Sequence, residues 1–391
     1  MKVRQLTATR RDVRDFVAFP FRLYAGSAEW CPPLASSVEL ALDRQRHPFY
    51  RHSDGAFFVV EQAGEVVGRI GVFDNQAYNT YRRSKVAFFY YFDVIDDAEA
   101  SRALLDAAAE WARARGLDLL MGPKGMLRSD AYGILVEGYE YPAPMGVPYN
   151  YPYYATLIEA AGFEKELDYL TGFIVKDDEL PERVFRLAAK IKERSGFSVQ
   201  SFRSKRELRA WIPEIQRVNN EAFTQVWGYY PIDDAEVQMI GDQLITVSDP
   251  RLLKVVTKDG AVAGFAFVFP DLAEALRATR GRLWPLGWIR FLIEMKRTRR
   301  LVGNGVGLLP QYQGLGATAM LYAELNDTIR SRGADYLELI QVMESNIKSL
   351  GDMNALGVTW HKRHRVYRRC LQDCAPSDAV SGCSPGADGH A

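Results

Sequence analysis

Apolar and polar positions alternate along this chain in two blocks of the same order. Period-two alternation marks strands, and longer stretches with apolar residues three and four apart mark helices. In the first block, residues 3–7, 57–61, 65–73, 86–94 and 117–121 read as strands. Ala63-Gly64 joins two of them, and so short a loop permits only antiparallel pairing. Residues 10–18 and 99–115 read as helices. In the second of these, Ala103, Leu104, Ala107, Ala108 and Trp111 share a face, and Gly116 ends it. The second block has strands at 251–258 and 261–269 around Asp259-Gly260, then at 301–309. A helix at 317–332 stopped by Gly333 and a strand at 336–342 complete it.

The blocks are in register. Gly64 and Gly260 are 196 residues apart, and Gly162 and Gly357 are 195 apart. Gly-x-x-x-Gly recurs at both hairpins, as Gly64/Gly68 and Gly260/Gly264. Both blocks also close on an asparagine, a helix and a glycine, as Asn150 to Gly162 and Asn346 to Gly357. A period this long indicates a duplicated domain rather than a solenoid of short repeats. The predicted organisation is a first domain at 1–175, a helical linker at 176–199 and a second domain at 200–371. The tail, 372–391, is rich in Ser, Gly and Pro, and its composition predicts disorder.

Composition narrows the class. The 391 residues exceed one typical domain, and 49 basic residues balance 49 acidic ones, which argues against an obligate nucleic-acid binder. No apolar run approaches the roughly 18–20 residues of a membrane span, and the opening Met-Lys-Val-Arg-Gln is no signal peptide. The 4 cysteines are too few and too clustered for a disulfide framework, so a cytoplasmic protein is expected. His361, His364, Cys370 and Cys374 have loose spacings among cations, and no metal site is predicted.

The most informative stretch is Leu308-Leu309-Pro310-Gln311-Tyr312-Gln313-Gly314-Leu315-Gly316-Ala317. A strand ends at Pro310, a glycine loop follows, and a helix starts at Ala317 with Met320, Leu321, Leu325 and Ile329 on one side. Free N–H groups at such a start, with the helix dipole, suit an anionic phosphate. No Gly-Lys-Ser/Thr follows, so this is not a Walker loop. The run Gln-x-x-Gly-x-Gly-Ala resembles the acyl-CoA loop of the GNAT superfamily of N-acyltransferases.

That resemblance, with the duplication, implies an α/β (α+β) fold of two GNAT-type domains. Each would be a mixed, mostly antiparallel twisted sheet flanked by helices. It implies acetyl-CoA or another acyl-CoA as cofactor, its pyrophosphate on the amides of Gln313, Gly314, Leu315, Gly316 and Ala317, with Gln311 opening the loop. Backbone N–H groups near Leu308 and Leu309 would polarise the thioester, and Asn346 would support the pantetheine arm. The first copy has Val94-Ile95-Asp96-Asp97-Ala98-Glu99-Ala100 in place of this loop. Carboxylates there repel phosphate, and Asp96 or Asp97 suits a helix cap, so one CoA per chain is expected.

For the chemistry, Glu338 and then Glu344 are candidate bases, against a reading of both as solvated strand-end charges. The superfamily's thiolate-protonating tyrosine falls on Met353 here, which leaves Tyr367 as the nearest substitute. Asn220, Trp227 and Tyr230 lie where the fold floors its acceptor site, and a polar-aromatic mixture suits an amine. The tyrosine-rich stretch from Tyr132 to Tyr139 and on to 148–154 is expected to fill the first copy's unused slot, the alternative being a roof over the second copy's acceptor pocket. An insertion at 275–300 is basic and apolar by turns, suiting a lid, an acyl-carrier protein or tRNA, against a favoured reading as a solvated helical hairpin. The expected activity is acyl (foremost acetyl) transfer from CoA to a small-molecule or amino-acid-like amine, with no membrane partner. The alternatives are aminoacyl-tRNA- or carrier-dependent transfer and a non-catalytic acyl-CoA-binding module.

Overall fold

The protein is described by a computed structural model covering residues 1–7 and 9–372; the expectation for the tail beyond lies outside the described residues. The first copy contributes strands β1 (Lys2–Gln5), β2 (Asp54–Gln62), β3 (Glu65–Asp74), β4 (Val86–Val94), β5 (Leu119–Gly122), β6 (Ile134–Glu137) and β7 (Glu164–Val175). The second contributes β8 (Phe197–Ser201), β9 (Leu253–Lys258), β10 (Ala261–Pro270), β11 (Arg300–Leu308), β12 (Tyr336–Met343) and β13 (Thr359–Cys370). Helices α1 (Arg10–Leu23), α2 (Ala35–Leu42), α3 (Gln76–Arg82), α4 (Ala98–Arg113) and α5 (Tyr153–Ala160) belong to the first copy. The linker forms α6 (Glu182–Arg194). The second copy has α7 (Lys205–Ala222), α8 (Asp234–Val247), α9 (Ala273–Thr279), α10 (Gly287–Arg297), α11 (Ala317–Arg332) and α12 (Ile347–Ala355).

All 13 strands form one sheet in the order β1-β2-β3-β4-β5-β13-β7-β12-β11-β10-β9-β8, with β6 paired to β13 off that path. Among the described strands, only β4–β5 and β11–β12 pair in parallel. The order reveals an exchange that contiguous domain boundaries do not express: β13, last in the second copy, pairs with β5 of the first. Reciprocally β7, last in the first copy, pairs with β12 of the second. The two exchanged strands also pair with each other along nearly their whole length. Asp168 on β7 is buried there and accepts from Arg365 Nε at 2.9 Å, Arg363 Nη1 at 3.3 Å and Lys165 Nζ at 3.0 Å.

Each copy covers the sheet on both faces. In the first, α4 buries Leu104, Leu105, Ala108 and Ala109 against β2–β4, while Phe16 and Val17 of α1 pack on the opposite face. In the second, Met320, Leu321 and Leu325 of α11 face β9–β11, and Leu208, Ile215 and Val218 of α7 cover the other side. These α11 positions follow the predicted spacing because the 3.6-residue turn gathers them on one stripe. Full burial of a side chain such as Leu321 contributes about 2 kcal/mol.

Candidate active site

Strands β11 and β12 pair only from Arg300↔Tyr336 to Gly303↔Leu339, then separate. At the same place β11 slips register against β10: Val306 lies opposite Ala266 and Gly303 opposite Val268. Asn304 and Gly305 therefore have no partner in either register. Gly305 has φ +106°, which a side chain would resist, and it kinks β11 away from its neighbour. The expectation for polarising amides is corrected here. The Leu309 N–H already donates to Ala263 O at 2.9 Å, while Asn304 and Gly305, outside both registers, are the exposed backbone of the wedge.

Beyond the wedge, the loop turns through Gly314 (φ +76°) and Gly316 (φ +83°) into α11, whose N-cap Gly316 offers no capping side chain. Among the described residues, the amides of 314–318 donate to no protein acceptor, and a Cβ on Gly314 would touch nothing within 4 Å. The matching helix of the first copy differs. Asp97 Oδ1 accepts from Glu99 N at 2.8 Å and Ala100 N at 3.0 Å, so a built-in carboxylate takes the amides a phosphate would need. The slot there is filled as well: the buried Tyr154 hydroxyl accepts from Val94 N at 3.0 Å, and Tyr153 donates to Val94 O at 2.8 Å. Lys348, which the sequence pattern did not single out, donates to Gln313 Oε1 at 3.4 Å and puts a cation at the intact loop.

A single cleft of about 1770 Å³ runs from Gln313, Gly314 and Thr318 through the wedge and on between the copies. It exceeds the roughly 300–1000 Å³ of an ordinary small-molecule pocket. Past the wedge its walls are largely apolar, including Leu34, Val38, Ile212, Met239, Leu283 and Phe291. Where the wedge opens, Tyr132 stacks on Tyr169 at 4.8 Å and meets the edge of Trp227 at 5.7 Å. Gln341 fixes this corner: its side chain accepts from Tyr132 N at 3.0 Å and donates to Tyr132 O at 2.6 Å. The Tyr169 hydroxyl is buried with no hydrogen-bond partner among the described residues. Asp130 also lines this region, and burial pushes its carboxyl above the usual range. Tyr322 lines the cleft nearer the loop and packs in the cluster that contains Met353. Burial and then the Asp352 charge push its hydroxyl pKa up.

Of the residues read from sequence, Leu308, Gln313, Gly314, Asn346 and Trp227 line this cleft. The structure does not bring the others named for chemistry to it. Glu338 is 1 % exposed, so it is no solvated charge either; Lys362 donates to it at 2.5 Å and His361 lies 3.4 Å away. Burial alone would raise Glu338, but His361 and Lys362 more than offset it and hold the carboxylate below its usual range. Glu344 is held by Asp168 N and Lys165 Nζ, each at 2.9 Å. Tyr367 sits in the first copy's core and donates to Glu159 Oε1 at 2.9 Å, because its strand is one of the exchanged pair. Tyr230 is wholly buried and donates to Glu236 at 2.9 Å. Asn220 accepts from Arg128 at 3.3 Å. Asn346 also caps α12, accepting from Ser349 N at 3.1 Å. Asp130, Tyr169 and Tyr322 had no local signal in the sequence, since only the packing of distant segments places them together.

The chain is similar over its whole length to a tandem GNAT protein from the clavulanic acid biosynthesis pathway. The TM-score is 0.56 at 14 % identity, with 96 % of this chain and 99 % of the other covered. This chain has the tandem GNAT fold. A GCN5-related N-acetyltransferase from Sphaerobacter thermophilus matches with TM-score 0.51 and 14 % identity over 96 % of each chain. Among curated proteins, protein YghO of Escherichia coli K12 is 27 % identical over 371 residues, 92 % of this chain and 93 % of that one. A bacterial ceramide synthase of Caulobacter vibrioides is 28 % identical over 377 residues, 93 % and 96 % of the two chains. No family model matches the chain. The first copy repeats the short parallel pairing, β4 with β5 over 86–88 only, but Tyr153, Tyr154 and the Asp97 cap occupy what the second copy leaves open.

Proposed function

We propose that this chain is an N-acyltransferase that joins the acyl group of an acyl-CoA to the amine of a long-chain acceptor. One observation carries the reading: an uncapped amide cradle opens into a cleft larger and more apolar than a CoA moiety requires. The 28 % identity to a protein named for making ceramide, itself an N-acylated long-chain amino alcohol, supports the same acceptor class. The small-molecule or amino-acid-like amine expected from sequence is narrowed here to a long-chain one, because the walls past the wedge are largely apolar.

An acyl-CoA supplies an activated thioester. The amides of 314–318, with Lys348, would hold its diphosphate, and the unpaired backbone at 304–305 would be available to the thioester oxygen. Trp227 and Tyr132 flank the amine, and the unpartnered Tyr169 hydroxyl orients the acceptor's polar end. The amine nitrogen attacks the carbonyl carbon; the C–S bond breaks as the C–N bond forms. Asp130, its pKa raised by burial, takes the proton from nitrogen directly or through water. Tyr322, kept protonated by burial and Asp352, gives a proton to the departing thiolate. It replaces the tyrosine absent at Met353.

The test is free-thiol release from acyl-CoAs of graded chain length, with a long-chain 2-amino alcohol set against short polar amines. Higher kcat/KM for the long acceptor is expected. Equal rates with short amines would remove the acceptor assignment, and no thiol release with any pair would remove the enzyme.

A further inference from the structure

The chain has 12 large hydrophobic residues that are well exposed among the described ones. Half of them, Trp284, Leu286, Trp288, Ile289, Leu292 and Ile293, fall within ten positions of the α9–α10 hairpin. Trp284 is 83 % exposed and Leu286 68 %, and it is their concentration in one short segment, not exposure alone, that sets them apart from single surface residues such as Ile347. The hairpin is held from beneath: Phe291 is buried beside Leu272, Ala275 and Leu276, and Leu283 and Phe291 line the cleft. Its outer face is thus unpartnered while its inner face walls the candidate site.

Charge says what covers that face. Arg280, Arg282, Arg290, Lys296 and Arg297 are exposed and make no ion pair among the described residues. Glu294 is the only acid from 280 to 297. This concentration stands out in a chain of net charge zero. A second copy meeting the face about a two-fold axis would set like charges against like. Cations around protruding Trp, Leu and Ile side chains are what a helix lying in an anionic bilayer interface carries. No helix among the described residues is long and apolar enough to cross a membrane, so contact through this face would be peripheral.

We propose that the α9–α10 hairpin docks the protein on an anionic lipid surface, its apolar tip in the interface and its cations among the headgroups. This sets the hairpin's outer face in the interface, with Leu283 and Phe291 on its inner side lining the cleft. Docking stands independently of the reaction proposed above, because it is read with no substrate present.

The experiment is flotation of the full chain with vesicles of phosphatidylcholine alone or equimolar with phosphatidylglycerol. Binding to the anionic vesicles that weakens with added salt is expected. Two surface variants, Trp284→Ser/Ile289→Ser and Arg290→Glu/Lys296→Glu, should each lower partitioning on the order of tenfold while melting like the native chain. Failure of the native chain to float with anionic vesicles would overturn the proposal, as would variants that bind like it. So would self-association lost in the Trp284→Ser/Ile289→Ser chain without any vesicle binding, since the face would then be a protein interface.

Discussion

Lys362 Nζ lies 2.5 Å from Glu338 Oε1, joining β13 to β12 across β7, the strand between them. Both side chains are almost wholly buried. A carboxylate locked in this way is unavailable to an acceptor amine. Glu338→Gln removes the charge and leaves a buried ammonium, which costs roughly 3–5 kcal/mol for pairs of this kind. A clear drop in Tm is expected, mostly restored by adding Lys362→Leu to Glu338→Leu. Turnover lost at an unchanged Tm would instead make Glu338 the base.

Gly314 tests the cradle: its Cβ direction is empty, but its positive φ strains any side chain, so Tm is measured beside affinity. Gly314→Val forces a branched residue into φ +76° and puts bulk where a phosphate would sit. Titration calorimetry should find one CoA per native chain and affinity lower by at least about tenfold in the variant. Two sites per chain would mean that Asp97 does not close the first copy.

Asp130→Asn and Tyr322→Phe separate the proposed proton acceptor from the proposed donor. Each should lower kcat by about 10²–10⁴-fold for the base and less for the acid, with CoA affinity retained. The acidic limb of the kcat profile should reflect Asp130, whose raised pKa means that activity falls as pH drops through a value above the ordinary carboxylate range. Loss of that limb in Asp130→Asn is the measurement that decides.

His364 is buried, and its Nε2–H donates to Pro148 O at 3.0 Å. Burial lowers its pKa to about 4 from 6.5. The unfolded chain therefore binds more protons between those values, and stability falls as pH drops through that window, by about 3 kcal/mol for this one group. Glu338 acts in the same direction at lower pH: its depressed folded pKa supports the fold above the ordinary carboxylate range and ceases to as pH falls through the folded value. Urea midpoints across pH 4–7 should show the first slope, flattened in His364→Gln.

The sequence by itself determined the duplication, the core strands and helices named above for each copy, and a glycine loop without a capping side chain before α11. Each of these is a local matter: period-two and period-3.6 patterns, glycines that permit positive φ, and carboxylates that cap a helix start. The tyrosine-rich stretch was legible too, because a slot without a ligand must be filled. Tertiary structure alone decided which polar groups face the cleft. Glu338, Glu344 and Tyr367 lie on or beside the exchanged strands, where partners as distant as Glu159 and Lys362 claim them. Asp130, Tyr169 and Tyr322 line one cleft only because two copies share one sheet. A side chain's partner across a sheet is a long-range contact, and no pattern of neighbours along the chain encodes it.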